Sequence, residues 1–395
     1  MARRVAIPSK RLALQIVGSR DAFMASRIQR AEISSNTPST DIDELGNPSH
    51  AGTVEDLASV SLPFSAFDTG IKIFSTLTGT DPSAYPGAGV DIESLGTVDA
   101  VIYIRDDDVA TYAKSAHAKK LRVQDFTFSY SVDGEASEDY TATGTERRYF
   151  KYNVAVEKFE TGTTSFTLDG TPVLLKNGDY CMSVILDGEY LEEVADGEEA
   201  TGEYSWDGAD INTFDTRVSQ CIIIYHTAGS GDVWTDISDS TMPAAIQGKD
   251  IEVEISASLI PRVQSVTING NLNVTEVREM GNDKLVGYQD QVPSVEGSLT
   301  VLDTDEELVD LLTYGSSPSG ETEFGLNEYE DTAELPLEIK LTNPASGSQV
   351  LKTVYIPTIK VIGDSYTANV NDNAVHVFNF KSTTGECIVY SGARV

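Results

Sequence analysis

Arg27-Ile28-Gln29 recurs as Arg262-Val263-Gln264, and Glu44-Leu45-Gly46-Asn47 recurs as Glu279-Met280-Gly281-Asn282. Both matches share one offset, 235 residues (262 − 27 and 281 − 46). The same offset, held without gaps from residue 27 to 78, pairs Asn36 with Asn271, Thr40 with Thr275, Gly52 with Gly287 and Leu77-Thr78 with Leu312-Thr313. Beyond it the register shifts to 238 (359 − 121), where Leu121, Val123, Phe128, Val132 and Tyr140 meet Ile359, Val361, Tyr366, Val370 and Phe378. A self-match at a long fixed period predicts two copies of one domain, with three extra residues in a loop of the second.

Each copy reads as strands around one short helix. Ala100–Ile104, Phe126–Tyr130 and Glu338–Leu341 are apolar or alternating runs, the period that half-buries a strand. Val132-Asp133-Gly134-Glu135 carries the Asp-Gly pair of a tight hairpin, a pair that tolerates left-handed backbone. In the second copy Thr304 precedes Glu307 by three residues, and Leu308, Leu311 and Leu312 share a helical face before Gly315, which predicts a capped amphipathic helix. Thr69, Ile71, Ile73, Phe74, Leu77 and Gly79 occupy the corresponding places in the first. The polar stretches 38–59 and 273–294 read as long loops, and a repeated long loop is expected to reach a neighbour.

The expected fold class is mainly β: two tandem β-sandwich or barrel copies, each with one flanking short helix, plus an inserted β module. The expected boundaries are a basic N-terminal arm (1–26), copy one (27–148), an outward module (149–258) and copy two (259–395). The module contains the apolar runs Tyr180–Leu186 and Cys221–Tyr225 around an acidic, basic-free segment from Asp187 to Asp210.

The chain carries 62 Asp and Glu against 28 Lys and Arg, a formal charge of −34. Affinity for a polyanion comes from cations that displace its counterions, so this balance argues against nucleic-acid binding and fits solubility at high salt. Seven cations crowd the first thirty residues, and Arg3, Arg4, Lys10 and Arg11 are the candidates for an arm lying on an acidic neighbouring subunit. The odd, widely spaced Cys181, Cys221 and Cys387 read as small buried hydrophobes rather than as disulfides or a zinc site. The run Leu12–Val17, interrupted by Gln15, is a poor signal peptide, and no apolar stretch is long enough to span a membrane.

Chemistry-bearing motifs are lacking. His50, His117, His226 and His376 have no metal-ligand spacing. Asp41-x-Asp43-x-x-Gly46 begins like a calcium loop, but Leu45 stands at the third ligand and Gly52 where the bidentate Glu belongs. No nucleophile elbow, Walker loop or dinucleotide fingerprint is present. The reading is a protein with no catalytic residues, no metal and no cofactor. Its rivals are a secreted or cell-surface β-protein of a halophile, which needs a signal peptide, and a β-sandwich hydrolase, which needs a clustered catalytic set.

The stretches Asp41–Asn47, Phe67–Ile71 and Phe126–Tyr140 resemble the tail tube, or major tail, proteins of tailed bacteriophages and haloarchaeal tailed viruses. The resemblance covers both copies but not the insertion. It implies a small β-sandwich with one flanking helix, rings whose inner sheets join into one barrel, and a long loop reaching the adjoining ring. Asp41, Asp43, Glu44, Asn47, Glu276, Glu279 and Asn282 are then the inter-ring loop candidates. Six domains per ring implies three of these chains per ring. The implied partners are copies of the chain itself, tape measure and terminator proteins, and viral DNA in transit without specific binding. The implied place is the virion tail, assembled in the host cytoplasm.

Overall fold

In a computed structural model, the Tyr112–Ser131 and Val350–Thr367 strands run 20 and 18 residues, far longer than their neighbours. The structure describes residues 12–43, 52–55, 58–67, 69–80, 89–105, 112–150, 153–160, 163–175, 180–214, 220–227, 246–280, 285–302, 307–314, 333–344, 349–368 and 373–394. The chain is mainly β, in large antiparallel sheets. Each long strand belongs to two sheets at once. Its first half pairs in an outer sheet with Thr97–Arg105 or Leu335–Thr342, and its second half pairs in an inner sheet with Ser137–Gly144 or Val375–Ser382. The change of sheet occurs at a bulge, at Gln124 in the first unit and Ile362 in the second. A bulge adds one unpaired residue and bends the strand, which is what a corner requires.

Helix α1 (Ile71–Thr78) buries Ile73, Phe74 and Leu77 against the first unit and ends at Gly79. That residue adopts φ 67°, and its N–H reaches the carbonyls of Ser75 and Thr76, so a glycine suits the left-handed cap. Helix α2 (Glu307–Tyr314) is its counterpart. The expected Thr304 cap and the Gly315 stop lie outside the described residues. One continuous core runs through both units, from Leu14, Phe64 and Phe74 to Ile339, Val354 and Phe378.

Leu12–Val17, inside the stretch read as a basic arm, is a strand of the first unit's outer sheet, paired with Thr97–Arg105. Ile251–Ile255, inside the stretch read as insertion, pairs with Leu335–Thr342 of the second unit. Between them stands the module, two four-stranded sheets, one containing Asn153–Phe159, Met182–Leu186 and Cys221–Thr227, the other Ser165–Thr167, Glu203–Trp206 and Asp210–Thr213. Its own core holds Phe166, Met182, Leu186 and Ile211. A second contact layer seats Val154, Ile185, Ile222 and Ile224 on Val17, Val101 and Tyr103 of the first unit.

Two inner-sheet glycines lie beneath aromatic rings: Gly270 opposite Phe126, and Gly297 opposite Phe380. A Cβ at Gly297 would fall 2.3 Å from Phe380 Cζ and 2.4 Å from the Thr267 carbonyl oxygen. The ring can turn, but a backbone oxygen cannot. Gly297→Ala is therefore expected to destabilise by about 1–3 kcal/mol, the usual cost of overpacking. A urea titration checks it, with Gly52→Ala, whose Cβ meets nothing within 4 Å, as the silent control.

Candidate functional site: one shared sheet with two open edges

The Arg-x-Gln motif has a structural meaning. Arg27 and Arg262 take left-handed backbone, φ 51° and 60°, a conformation that L residues rarely adopt. Gln29 Nε2 and Gln264 Nε2 donate to the carbonyls of Arg27 and Arg262, each at 3.1 Å. The same two carbonyls accept the N–H groups of Phe67 and Leu302, again at 3.1 Å. A bulge follows in both places, between Ile28 and Arg30 and between Val263 and Ser265. The pairings beyond keep the register: Ala31↔Phe64 becomes Val266↔Leu299, and Tyr140↔Phe64 becomes Phe378↔Leu299.

The inner sheets of the two units are one sheet. Asp125–Ser131 pairs antiparallel with Ser265–Asn271, placing Phe128 opposite Ile268 and Thr127 opposite Asn269. The strand order runs from Ile28–Ala31 and Ser34–Asn36 through Ser59–Ala66, Ser137–Gly144 and Tyr112–Ser131. It continues through Val263–Asn271, Ser294–Leu302 and Val375–Ser382 to the second half of Val350–Thr367.

Beneath this joint lies a buried ion pair. Lys352 Nζ, from the second unit, donates to Glu138 Oε1 of the first, and both side chains are fully buried. Tyr140 OH donates to Glu138 Oε2 at 2.8 Å. The ammonium sits 4.7 Å from the Phe128 ring centroid and 5.7 Å from that of Phe74, where the ring quadrupole attracts a cation.

At the two ends of the same sheet the last strand pairs with a neighbour on one side only among the described residues, and at one of them the Ile33 carbonyl accepts from Arg147 Nη1 at 3.3 Å. One end is Arg30–Asn36 and the other Gly363–Thr367, which are the counterparts, by the repeat offsets, of the two strands already joined inside the chain. Exposure follows this difference. Phe128 and Ile268 are wholly buried at the joint, whereas Tyr366 is 56 % exposed and Ile33 half-buried.

The sheet's other face alternates with the core positions. It carries Ser61, Ser65, Thr127, Ser129, Thr141, Thr267, Asn269, Ser298, Thr300 and Asn379, all at least partly exposed. Its charges are Arg30, Glu32, Asp125, Asp139, Glu296, Lys381 and, opposite Lys381, Lys360.

No protein-family model and no curated protein matches the chain. Solved structures do. A component of a native gene transfer agent virion is 15 % identical, with 36 % of this chain covering 98 % of that one at a TM-score of 0.26. A chain of the sheath–tube complex of an extracellular contractile injection system is 18 % identical, with 40 % of this chain covering 99 % of that one at 0.27. The tube-terminating cap of the anti-feeding prophage is 15 % identical, with 40 % against 99 % at 0.27. Each neighbour is thus matched over nearly its whole length by about two fifths of this chain.

The loops read as inter-ring candidates are hairpins at their bases. Ser39–Ile42 pairs with Gly52–Glu55, and Thr275–Val277 with Gly287–Gln289, in the same register. Asp41 is exposed and accepts from Thr53 Oγ1 at 3.1 Å, and Asp43 and Glu279 are exposed. Glu276 pairs with Arg278 at 2.8 Å. Glu44, Asn47 and Asn282, and the arm residues Arg3, Arg4, Lys10 and Arg11, lie outside the described residues. The second hairpin is fastened sideways onto the first unit, a contact the sequence reading missed. Tyr288 OH donates to the carbonyls of Lys120 and Thr143, both at 3.1 Å, and Arg122 meets Asp290 at 2.7 Å.

A further polar group fills the seam between the first unit and the module. Asp99 Oδ2 lies 2.9 Å from His117 Nε2, and His117 Nδ1 lies 3.0 Å from His226 Nε2. Ser183 Oγ and Tyr190 OH of the module donate to Asp99, at 2.7 and 3.0 Å, as does the Lys120 N–H at 2.9 Å. Burial alone would raise the Asp99 carboxyl, but His117, Lys119 and the Lys120 N–H hold it down at about 2. Burial, and then electrostatic repulsion from its surroundings, Lys119 and Arg148 among them, pushes His226 down to about 2, so its imidazole is neutral near pH 7.

Proposed function

We propose that this chain is a non-enzymatic structural protein of a viral tail, and that three copies close into a ring of six tube-like units that stack into a tube. The observation that carries the reading is the internal joint together with the two open edges that repeat its halves. A sheet edge left bare presents unpaired N–H and C=O groups and invites a partner strand. Here the edge at Gly363–Thr367 has the sequence position of Asp125–Ser129, and the edge at Arg30–Asn36 that of Ser265–Asn271. Two different, mutually complementary edges make a head-to-tail contact, which closes into a ring when the rotation allows. Copied onto neighbouring chains, the internal register places Tyr366 opposite Ile33, Ser365 opposite Ser34 and Gly363 opposite Asn36.

On this reading the hydroxyl- and amide-rich face lines the bore. Its acids outnumber its bases, and the three chains together carry a formal charge of −102 (3 × −34). Passing DNA then finds a wettable wall whose counterion-releasing cations are outnumbered by acids. The hairpins at Asp41–Asp43 and Glu276–Glu279 supply contacts between rings, and the arm at Arg3, Arg4, Lys10 and Arg11 lies on an acidic neighbour. Tape measure and terminator proteins complete the assembly, in a virion tail put together in the host cytoplasm. The solved chains it is similar to come from a virion, a sheath–tube complex and a tube cap.

Electron microscopy of the purified chain at high salt, with native mass spectrometry, tests the proposal. Rings or rods built from three chains are expected. Dispersed monomers, or rings of six chains, overturn it.

A further inference from the structure

The polar seam brings three metal-ligating side chains together from distant parts of the chain. His117 comes from the Tyr112–Ser131 strand of the first unit, Cys181 from the residue preceding Met182–Leu186, and His226 from Cys221–Thr227 of the module. One donor atom from each lies within 4.8 Å of the other two, and all three residues are buried. The nitrogens of His117 and His226 face each other at 3.0 Å. A tetrahedral ion with bonds of about 2.0–2.1 Å to nitrogen and about 2.3 Å to sulfur holds its ligand atoms roughly 3.3–3.6 Å apart. The two imidazoles are already near that spacing, and the thiol needs a shift of about an ångström.

The surroundings match as well. His117 is gripped through its other nitrogen by Asp99 at 2.9 Å, the carboxylate–histidine arrangement that fixes the ring and raises the basicity of a metal ligand. Asp99 is itself held by Ser183, Tyr190 and the Lys120 N–H, so the carboxylate has a fixed aim. The Cys181 thiolate and the Asp99 carboxylate would offset a doubly charged ion; of the nearby cations, Arg148 is paired with Glu146 at 2.7 Å and Lys119 donates to the Met182 carbonyl. Two imidazoles and a thiolate suit zinc among the common divalent ions.

We propose that His117, Cys181 and His226 bind one zinc ion that clamps the inserted module onto the first tube-like unit. The ligands are split between the two bodies, so the site is complete only once the module has docked, and the ion enters during that docking. Binding then stabilises the docked form over the open one, by mass action. It operates in addition to the apolar seam of Val17, Val101, Ile185 and Ile222.

The test uses the full chain and the metal alone. Purified protein, dialysed against metal-free buffer and given zinc, is expected to retain one equivalent by elemental analysis. Its Tm is expected to rise by about 5 °C, and a strong chelator to reverse the rise. Cobalt in place of zinc is expected to give thiolate-to-metal absorption in the near ultraviolet. Cys181→Ser removes that absorption and weakens binding at least about tenfold, whereas Cys221→Ser leaves both intact. Should Cys181→Ser fail to fold, the chelator and zinc-return cycle on the unmodified chain decides. No retained metal and no Tm response, or binding undiminished in both Cys181→Ser and His226→Gln, overturns the proposal.

Discussion

Lys352→Met is expected to lower the stability of the chain by about 3–5 kcal/mol, the cost of leaving a buried charge without its partner. Glu138 has no access to solvent, and its carboxylate is compensated by the Lys352 ammonium and the Tyr140 hydroxyl. Methionine fills nearly the same volume and keeps the contact with Phe74 and Phe128, so lost packing contributes little. What is lost is the countercharge, in surroundings of aromatic rings that cannot solvate an anion. The effect falls on the joint between the units, because Lys352 belongs to the second and Glu138 to the first.

The companion variant separates this account from a packing defect. Lys352→Met with Glu138→Gln removes both charges and retains a group that can accept from Tyr140. The pair of changes is expected to recover most of the loss, since a buried ion pair replaced as a unit by neutral residues is often nearly neutral in stability. Urea midpoints for the single and double variants give the comparison. A single variant within about 0.5 kcal/mol of the parent, or a double variant no better than the single, would sink the explanation.

The inner sheet was legible in the sequence because its residues obey a period of two. In Ser137–Gly144 the core positions alternate without a break, and that alternation also places Glu138 inward, beside Tyr140 and Ala142. The outer sheet was harder to read. Leu12–Val17 is buried on both faces, with Leu14 and Ile16 in the main core and Val17 under the module. A strand covered on both sides shows no alternation, and Gln15 in its middle looks like an interruption. In the structure Gln15 Oε1 accepts from Tyr103 OH at 2.5 Å.

His117 and Asp99 were illegible for a related reason. They sit on strand faces that the module covers, and their partners Ser183 and His226 are 84 and 109 residues away from them. The hairpins in 38–59 and 273–294 hid for the opposite reason. The described part of Ser39–Ile42 is exposed throughout, so no buried face imposes a pattern, and a strand of this kind reads as loop.

Ser34→Cys combined with Ser365→Cys is expected to convert the chain into a covalent trimer on oxidation. At the internal joint Thr127 opposes Asn269 closely enough for Thr127 Oγ1 to donate to Asn269 Oδ1 at 3.0 Å. The repeat offsets carry those two positions to Ser365 and Ser34 (127 + 238 and 269 − 235). Directly opposed residues on antiparallel strands hold their Cβ atoms about 4.5–5.5 Å apart, within a small adjustment of disulfide geometry. Within one chain the two positions stand at opposite ends of the inner sheet, so the bond must join different molecules. The native cysteines are buried and unpaired, which keeps the background low.

Non-reducing denaturing electrophoresis should show dimer and trimer bands that collapse to monomer on reduction, with nothing larger from a closed ring. Ser35→Cys with Ser365→Cys supplies the control. A slip of one residue turns the side chain to the other face of the sheet, so that pair should stay monomeric. Efficient cross-linking of the slipped pair, a ladder running past the trimer, or intact rings that never cross-link would each show that neighbouring chains do not meet in the register of the internal joint.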